Sequence, residues 1–360
     1  LRFYRLDMPL WYDEIVTLVE SVRLSLAGLV TTYGGENQHP LYSLMAHLAV
    51  AAFGEHPWVL RLPAVLFGVA TIPLLYVVGR EASGRGEATA AAVILTVSYH
   101  HVWFSQNARG YTTVLFCVLL STYALLQWIE TRRAWLAGVF VLSTALGTYA
   151  HMTTALVAIG QALACAVAMG ASGRDDRIRT AWPGVTLLFA GAAALTVLMY
   201  APMLADIVSV MTRGKASGSS HSALSWAVSA VFQGLQVGFG AMWVIAAGMV
   251  VLAAGCLSYA RQRLLVALLF VLPVIVTVGA AIVLDRPLRP RFMFFAAGFA
   301  LLFTVRGAAA CGAALGRVIG ARASSLARTA VAILTLVAVV LSVRSLPYGY
   351  RVPKQDYMDA

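Results

Sequence analysis

The sequence predicts an all-α protein, a polytopic bundle of about ten or more membrane-spanning helices. The first reason is composition: 60% of the 360 residues are hydrophobic and only 11% are charged, whereas soluble domains carry about 25% charged residues. The second is that apolar stretches close to the length of a spanning helix, about 20 residues, recur along the chain. The bilayer is therefore the expected solvent.

About ten stretches satisfy the length-and-charge criterion for a span. They are 59–79, 88–105, 110–129, 135–150, 153–171, 183–201, 236–259, 264–284, 292–311 and 329–343. The shorter stretch 40–54 is expected to form a juxtamembrane or re-entrant helix. Residues 1–346 then form one membrane domain, and residues 347–360 begin an outer-face tail or domain. Because the chain starts at Leu1 in polar sequence, a first helix is expected to precede it.

Arginine is unevenly distributed between alternate loops. The positive-inside rule assigns the richer loops to the cytoplasm, namely 80–85, 132–133, 174–179, 261–263 and 317–322. The same rule assigns to the outer face the loop around Arg109, the turn at His151 and residues 1–58, 202–235, 285–291 and 347–360. The net charge of +11 is attributed to topology and lipid headgroups. No nucleic-acid partner is expected, because the basic residues form no stripe with interleaved aromatics.

Two adjacent carboxylates, Asp13 and Glu14, stand beside aromatic residues in LWYDEIVT, just before the apolar part of the chain. Ionised groups near a bilayer are costly, so they tend to be paired or functional. A carboxylate at this position can take a proton from an acceptor hydroxyl. For the pair alone, the alternative interpretation is a solvated acidic loop or helix N-terminus.

The segment GGENQHPLY places Glu36, Gln38 and His39 before Pro40, which suits the first turn of a helix. These groups can bind a sugar or a phosphate at a helix N-terminus, or they can serve as ordinary caps. His151 lies at a turn on the same face. No HExxH or other zinc-binding spacing occurs, so no metal ligands are predicted.

Arg109 is a lone charge between two apolar stretches in FSQNARGYT, with Gln106 and Tyr111 beside it. A planar guanidinium suits phosphate oxygens. The alternative is an interfacial arginine that reaches lipid headgroups.

A second group of arginines, Arg286, Arg289 and Arg291, crowds the short outer loop of LDRPLRPRFMFF against the positive-inside bias. An anionic ligand would compensate for such a cluster. Contact with anionic lipid headgroups is the alternative.

Taken in order, these segments resemble the membrane glycosyltransferases of the GT-C superfamily, in particular glycosyltransferase family 39, which includes protein O-mannosyltransferases and the lipid A aminoarabinose transferase. The matching stretches are WYDE at 11–14, QHPLYSLMAHL at 38–48, LRLPAVLFGVATIPLLYVVGR at 60–80, FSQNARGYT at 104–112, TYAHM at 148–152, RPRFMFF at 289–295 and PKQDY at 353–357. One proline of the family's His-Pro-Pro-Leu-Tyr-Tyr segment is missing. The resemblance extends over nearly the whole chain.

The resemblance implies a helical bundle whose first outer loop covers the active site. It implies a lipid-linked donor, a sugar such as mannose on polyprenyl phosphate, and a glycan, lipid or protein acceptor. The reaction is expected to occur on the outer, extracytoplasmic face of the plasma or inner membrane. Metal dependence varies across the superfamily, and no further carboxylate cluster here demands a divalent ion.

The resemblance also assigns roles to residues. Asp13 would be the general base and Glu14 would position it or the acceptor. The phosphate would be neutralised by arginines, and neighbouring polar groups would line the substrate pocket. These substrate-binding candidates are Gln38, His39, Gln106, Arg109, Tyr111, His151, Arg289 and Arg291.

Three other interpretations stay open. A transporter or lipid flippase would show charged or broken helices near the membrane midplane or paired repeats, and the predicted spans are nearly free of charge. A non-catalytic scaffold of the same fold is the second. An oligosaccharide ligase of the same superfamily is the third.

Overall fold

The computed structural model describes residues 1–35, 38–171, 176–213, 228–229, 231–236, 242–284 and 289–351. Within these ranges the protein is helical and contains no strand. The N-terminal part contains α1 (Tyr12–Thr17), a π-helical turn (Leu18–Val22) and α2 (Leu26–Thr31). The remaining elements are α3 (Pro40–Phe53), α4 (Pro57–Ala82), α5 (Arg85–Val97), α6 (Tyr99–Ser105), α7 (Tyr111–Thr131), α8 (Ala134–Ala150), α9 (Thr153–Ala171), α10 (Asp176–Tyr200), a 3-10 turn (Ala201–Met203), α11 (Leu204–Arg213), α12 (Met242–Gln262), α13 (Leu264–Val283), a 3-10 helix (Pro290–Ala296), α14 (Ala297–Val318) and α15 (Ala323–Arg351).

Eight stretches of the described residues are long and apolar enough to cross a membrane. They are Pro57–Ala82, Tyr111–Thr131, Thr153–Ala171, Thr180–Val210, Met242–Gln262, Leu264–Val283, Pro290–Val318 and Ala323–Arg351. The all-helical membrane architecture is thus confirmed, with fewer full-length spans in these ranges than the about ten expected.

Two predicted spans account for the difference. The stretch 88–105 is broken at Ser98, whose side chain accepts a hydrogen bond from the His101 amide and starts a new helix; α5 and α6 are each too short to cross alone. The stretch 135–150 forms α8, an apolar helix of 17 residues. Together, α5 and α6 connect the C-terminal end of α4 to the turn that contains Arg109. The stretch 40–54 is a short helix, as expected.

The predicted boundary at residue 346 falls inside α15, which continues through Pro347 to Arg351. The end of this helix contacts the first residues of the chain: the Arg5 guanidinium donates to the Tyr350 carbonyl at 2.9 Å, and the Tyr4 and Tyr350 rings meet edge to face. Residues 353–357 of the motif comparison lie outside the described residues.

The helix α7 forms the centre of the bundle, because most of its residues are buried inside the protein. It packs against α4, α8 and the 3-10 helix at Pro290–Ala296. Helices α12 and α14 cross at glycines, because a Cβ on Gly255 would overlap the carbonyl oxygen of Phe303. This dense core holds the first turns of α4, α7 and α14 together at one end of the bundle.

The N-terminal segment folds over that end of the bundle. The Gln106 side-chain amide donates to the carbonyls of Arg2 and Tyr4, at 3.1 and 2.7 Å. The Arg61 guanidinium donates to the carbonyls of Leu6 and Met8, at 2.6 and 2.8 Å. Side chains of the bundle therefore form hydrogen bonds with the backbone carbonyls of an otherwise irregular segment, and these bonds fix where α1 begins.

Candidate active site

Asp13 lies in the first turn of α1, where its carboxylate meets two arginines from distant parts of the chain. Its Oδ2 atom is 2.8 Å from Nη1 of Arg291 and 3.5 Å from Nη1 of Arg109. The Asp13 side chain is 14% exposed, so it is sheltered but reachable. These three residues are called the Asp13 cluster below.

Arg109 stands in the turn between α6 and α7, and its side chain is only 1% exposed. The guanidinium lies 5.7 Å from the centre of the Tyr111 ring, and Nη2 is 3.5 Å from the Tyr111 hydroxyl. Tyr111 is itself packed against the Phe104 ring. The turn therefore aims a cation at Asp13 from a fixed aromatic support.

Arg291 comes from the 3-10 helix that precedes α14, and its guanidinium contacts the Asp13 carboxylate. Its Nη1 is occupied by Asp13, while its buried Nε atom has no hydrogen-bond partner among the described residues. Arg289 caps the same helix, but its side chain is exposed. The two arginines predicted together are therefore in different environments.

His39 and His151 lie beside this cluster with their rings 5.0 Å apart. His39 Nδ1 is 2.9 Å from the Ala150 carbonyl, so Nδ1 carries the hydrogen and Nε2 is an acceptor. That Nε2 atom is buried without a hydrogen-bond partner among the described residues. His151 Nδ1 accepts from the Thr153 amide at 3.2 Å, which assigns its ring hydrogen to Nε2.

Both imidazoles are held neutral. Burial, and then the positive charges of Arg109 and Arg291, lower the pKa of His151 to about 3. Burial, followed by Arg109 and His151, lowers the pKa of His39 well below its ordinary value. The pair thus offers one acceptor and one donor nitrogen next to the Asp13 cluster, without adding charge.

Glu14 has a different environment from its neighbour. It is fully buried and binds Arg61 through both oxygens, at 2.9 Å to Nε and 2.5 Å to Nη2. It also accepts from the Ala108 amide at 2.8 Å. These contacts tie α1 to the start of α4 and to the Arg109 turn, so Glu14 has the contacts of a positioning residue.

Arg61 was not predicted as a site residue from the sequence. Its signal was a single arginine in the first turn of an otherwise apolar span, in LRLPAVLF. A charge at such a position requires a partner, and the sequence alone did not identify Glu14 as that partner.

Two of the predicted substrate-binding residues, Gln38 and Gln106, form hydrogen bonds with backbone groups instead of with Asp13. Gln38 Oε1 accepts from the Gly34 amide at 2.6 Å and its Nε2 donates to the Thr32 carbonyl at 3.1 Å. Gln106 fixes the N-terminal segment as described above. Glu36 and Arg286 lie outside the described residues. Among the residues that the structure describes, no three His, Cys, Asp or Glu side chains gather at one point.

Comparisons with known proteins confirm the family resemblance. Residues 37–200 match the family described as dolichyl-phosphate-mannose-protein mannosyltransferase. None of the curated proteins matches the chain in sequence. The matched residues contain the Arg109 turn and both histidines, whereas Asp13 and Arg291 lie outside them.

Solved structures share the fold at low sequence identity. ArnT from Cupriavidus metallidurans bound to undecaprenyl phosphate has a TM-score of 0.64 and 13% identity, over 97% of this chain and 75% of that chain. The apo state of the same protein has a TM-score of 0.59 at 13% identity, over 97% and 72% of the two chains. The archaeal oligosaccharyltransferase AglB from Archaeoglobus fulgidus, in complex with an inhibitory peptide and a dolichol-phosphate, has a TM-score of 0.54 and 14% identity; the match covers 99% of this chain but only 52% of AglB.

Proposed function

We propose that the chain transfers a sugar from a polyprenyl-phosphate carrier to an acceptor hydroxyl, because its residues 37–200 match the dolichyl-phosphate-mannose-protein mannosyltransferase family. The observation that carries this proposal is the contact of one carboxylate oxygen of Asp13 with both Arg109 and Arg291. A base and a phosphate-binding pair of cations thereby stand side by side.

The charges of the Asp13 cluster match those of the reaction. Two arginines and one aspartate sum to a single positive charge, which one phosphodiester donor neutralises. When Asp13 takes the proton of the acceptor hydroxyl, it loses its negative charge, and the departing polyprenyl phosphate gains one. The total charge of the site is therefore constant during transfer, which avoids a large reorganisation cost in a sheltered, low-dielectric site.

The chemical step is a single displacement at the anomeric carbon. The acceptor oxygen forms the new bond while its proton passes to Asp13, and the bond to the phosphate oxygen breaks with its electron pair on the phosphate. One displacement inverts the anomeric configuration. Because Arg109 and Arg291 stabilise the leaving phosphate, the step needs no strong general acid.

The two histidines suit the sugar rather than the phosphate. A neutral His39 with a buried acceptor nitrogen can receive a hydrogen bond from a sugar hydroxyl, and the Nε2 hydrogen of His151 can be donated to a second oxygen. Leaving such an acceptor unsatisfied is costly in a buried site, so a sugar that lacks the matching hydroxyl would bind less well.

The carrier and the sugar are proposed from the relatives, and the membrane face is proposed from the arginine distribution. The undecaprenyl phosphate of the ArnT structure supports a polyprenyl chain as the donor lipid, held between spans. Mannose is the sugar that the family description suggests. The acceptor is a glycan, a lipid or a protein. The arginine distribution supports an active site on the outer, extracytoplasmic face of the membrane.

A transfer assay tests the proposal. The purified chain in detergent is incubated with radiolabelled polyprenyl-phosphate sugars and acceptors of the three classes, and the anomeric configuration of the product is determined. Transfer with inversion is expected. Transfer with retention would contradict the single displacement. Folded protein that transfers nothing from any carrier would favour a scaffold, and carrier movement across vesicles without transfer would favour a flippase.

A further inference from the structure

A polar cavity lies at the opposite end of the bundle from the Asp13 cluster. It has a volume of about 280 Å³ and opens where α4 ends and where α12 turns into α13. Arg61 and Arg80 stand on the same helix, α4, and a rise of about 1.5 Å per residue separates them by about 28 Å along its axis. That distance approaches the thickness of the hydrocarbon core, about 30 Å, so the cavity faces the other membrane surface. It is called the far cavity below.

The wall of the far cavity is built around Arg306, a charged residue within an apolar span. Its guanidinium donates to Glu87 Oε1 at 2.9 Å, to Ser258 Oγ at 3.0 Å and to Gln262 Oε1 at 2.5 Å. These bonds join α14 to α5 and α12. Ionisable groups at such positions are expensive and mark functional sites by default. Arg306 therefore fixes the shape of a polar recess that an apolar helix contact would have closed.

The charge of the lining is positive. Arg80, Arg263 and Arg306 line the cavity, and Glu81 is the one carboxylate among the lining residues. The Arg263 guanidinium donates a hydrogen bond to the Glu81 backbone carbonyl. Its Nη2 atom also lies 3.9 Å from Oε1 of the Glu81 carboxylate. Arg80 is exposed and forms no ion pair with any residue that the structure describes. Because Glu81 lies beside Arg263 and Glu87 pairs with Arg306, the third arginine, Arg80, leaves the recess with one net positive charge.

Two hydroxyls add a neutral donor. Ser83 and Tyr259 both line the cavity and are hydrogen-bonded to each other. Whichever hydroxyl donates, the other retains its own hydrogen, because each carries only one. Cationic fork donors with one hydroxyl hydrogen are the set that phosphate oxygens accept from.

We infer that the far cavity binds a phosphate group, in the first instance the headgroup of an anionic phospholipid of the leaflet opposite the Asp13 cluster. Its position at a membrane surface, between spans and among arginines, is that of lipid headgroup sites. Free phosphate shares the chemistry and is the second source. The inference stands on the cavity alone and is independent of the proposed sugar transfer.

The test measures thermal stabilisation of the full chain in detergent by phosphatidylglycerol, phosphatidylcholine or inorganic phosphate. Phosphatidylglycerol is expected to raise the midpoint and phosphatidylcholine is not. Arg80→Gln should weaken phosphatidylglycerol binding roughly fivefold, the effect of one basic residue beside a charged lipid surface. Glu81→Gln should strengthen it. Inorganic phosphate that stabilises equally well would support the anion site with a soluble ligand.

Two control variants separate this site from general charge effects. Arg317→Gln removes the same charge from an exposed position of α14 outside the cavity, and Arg109→Gln removes an arginine of the Asp13 cluster. Both should keep the phosphatidylglycerol stabilisation. Equal losses in Arg80→Gln and Arg317→Gln, or a loss only in Arg109→Gln, would overturn the inference. So would an absence of stabilisation by both phosphate compounds.

Discussion

Arg291 Nη1 lies 2.8 Å from Asp13 Oδ2, which joins residues separated by 278 positions in the sequence. The contact connects the N-terminal segment to the 3-10 helix before α14. Arg109 approaches the same oxygen at 3.5 Å. Since the proposed reaction moves a negative charge from Asp13 to the leaving phosphate, this shared contact is where base and leaving group are coupled.

Arg291→Gln is expected to lower kcat/KM by about 100-fold to 1,000-fold, as for removal of one preorganised donor from a developing negative charge. Arg289→Gln is the matched control, because Arg289 lies in the same loop but has an exposed side chain. Its effect on kcat/KM should be much smaller. Equal losses would mean that the loop acts through its total charge and not through the Asp13 contact.

Arg61→Ala is expected to destabilise the protein, because it leaves the fully buried Glu14 carboxylate without its cation. Breaking a buried pair costs about 3–5 kcal/mol, which should lower the thermal midpoint in detergent by several degrees. The control is Arg23→Ala, which breaks the exposed pair with Glu55, because solvent screening leaves such pairs little effect on stability. If both variants melted alike, the Glu14–Arg61 pair would not hold the N-terminal segment in place.

Acid should destabilise the protein through His151. Its pKa in the folded state is about 3, below the ordinary value of about 6.5, so below pH 6.5 the unfolded chain binds a proton that the folded chain does not. The stability that the neutral ring contributes is complete above pH 6.5 and is lost as the pH falls toward 3. His151→Gln should therefore show a smaller fall in thermal midpoint between pH 7 and pH 4. Parallel curves for both proteins would contradict the buried, neutral histidine.

Much of the fold was predictable from the sequence, because apolar length and composition directly determine which segments cross a bilayer. The exceptions are local. The break at Ser98 depends on one side-chain cap, and a helix stop inside an apolar stretch has a weak sequence signal. The 17 residues of α8 are fewer than the about 20 that a spanning helix needs.

Residue types in the sequence indicated candidate members of the site but not their pairings. The predicted topology assigned Asp13, Arg109 and Arg291 to one membrane face, and in the structure both arginines contact one carboxylate oxygen of Asp13. Arg61 was missed because its partner lies 47 positions away and the sequence does not encode that contact locally. Glutamines such as Gln38 and Gln106 are typical of sugar-binding sites. Here, however, their side-chain amides form hydrogen bonds with the irregular backbone beside them.

In the proposed reaction, Asp13 accepts the proton of the acceptor hydroxyl. This role is tested by measuring sugar transfer from the radiolabelled carrier by Asp13→Asn, which keeps the size of the side chain but removes its basicity. The exposed Asp7 in the same segment supplies the matched variant Asp7→Asn. We expect transfer by Asp13→Asn to fall by a factor of about 100 to 10,000, the usual contribution of a general base, with donor binding retained and Asp7→Asn unaffected. Equal transfer by Asp13→Asn and the wild type would contradict the account.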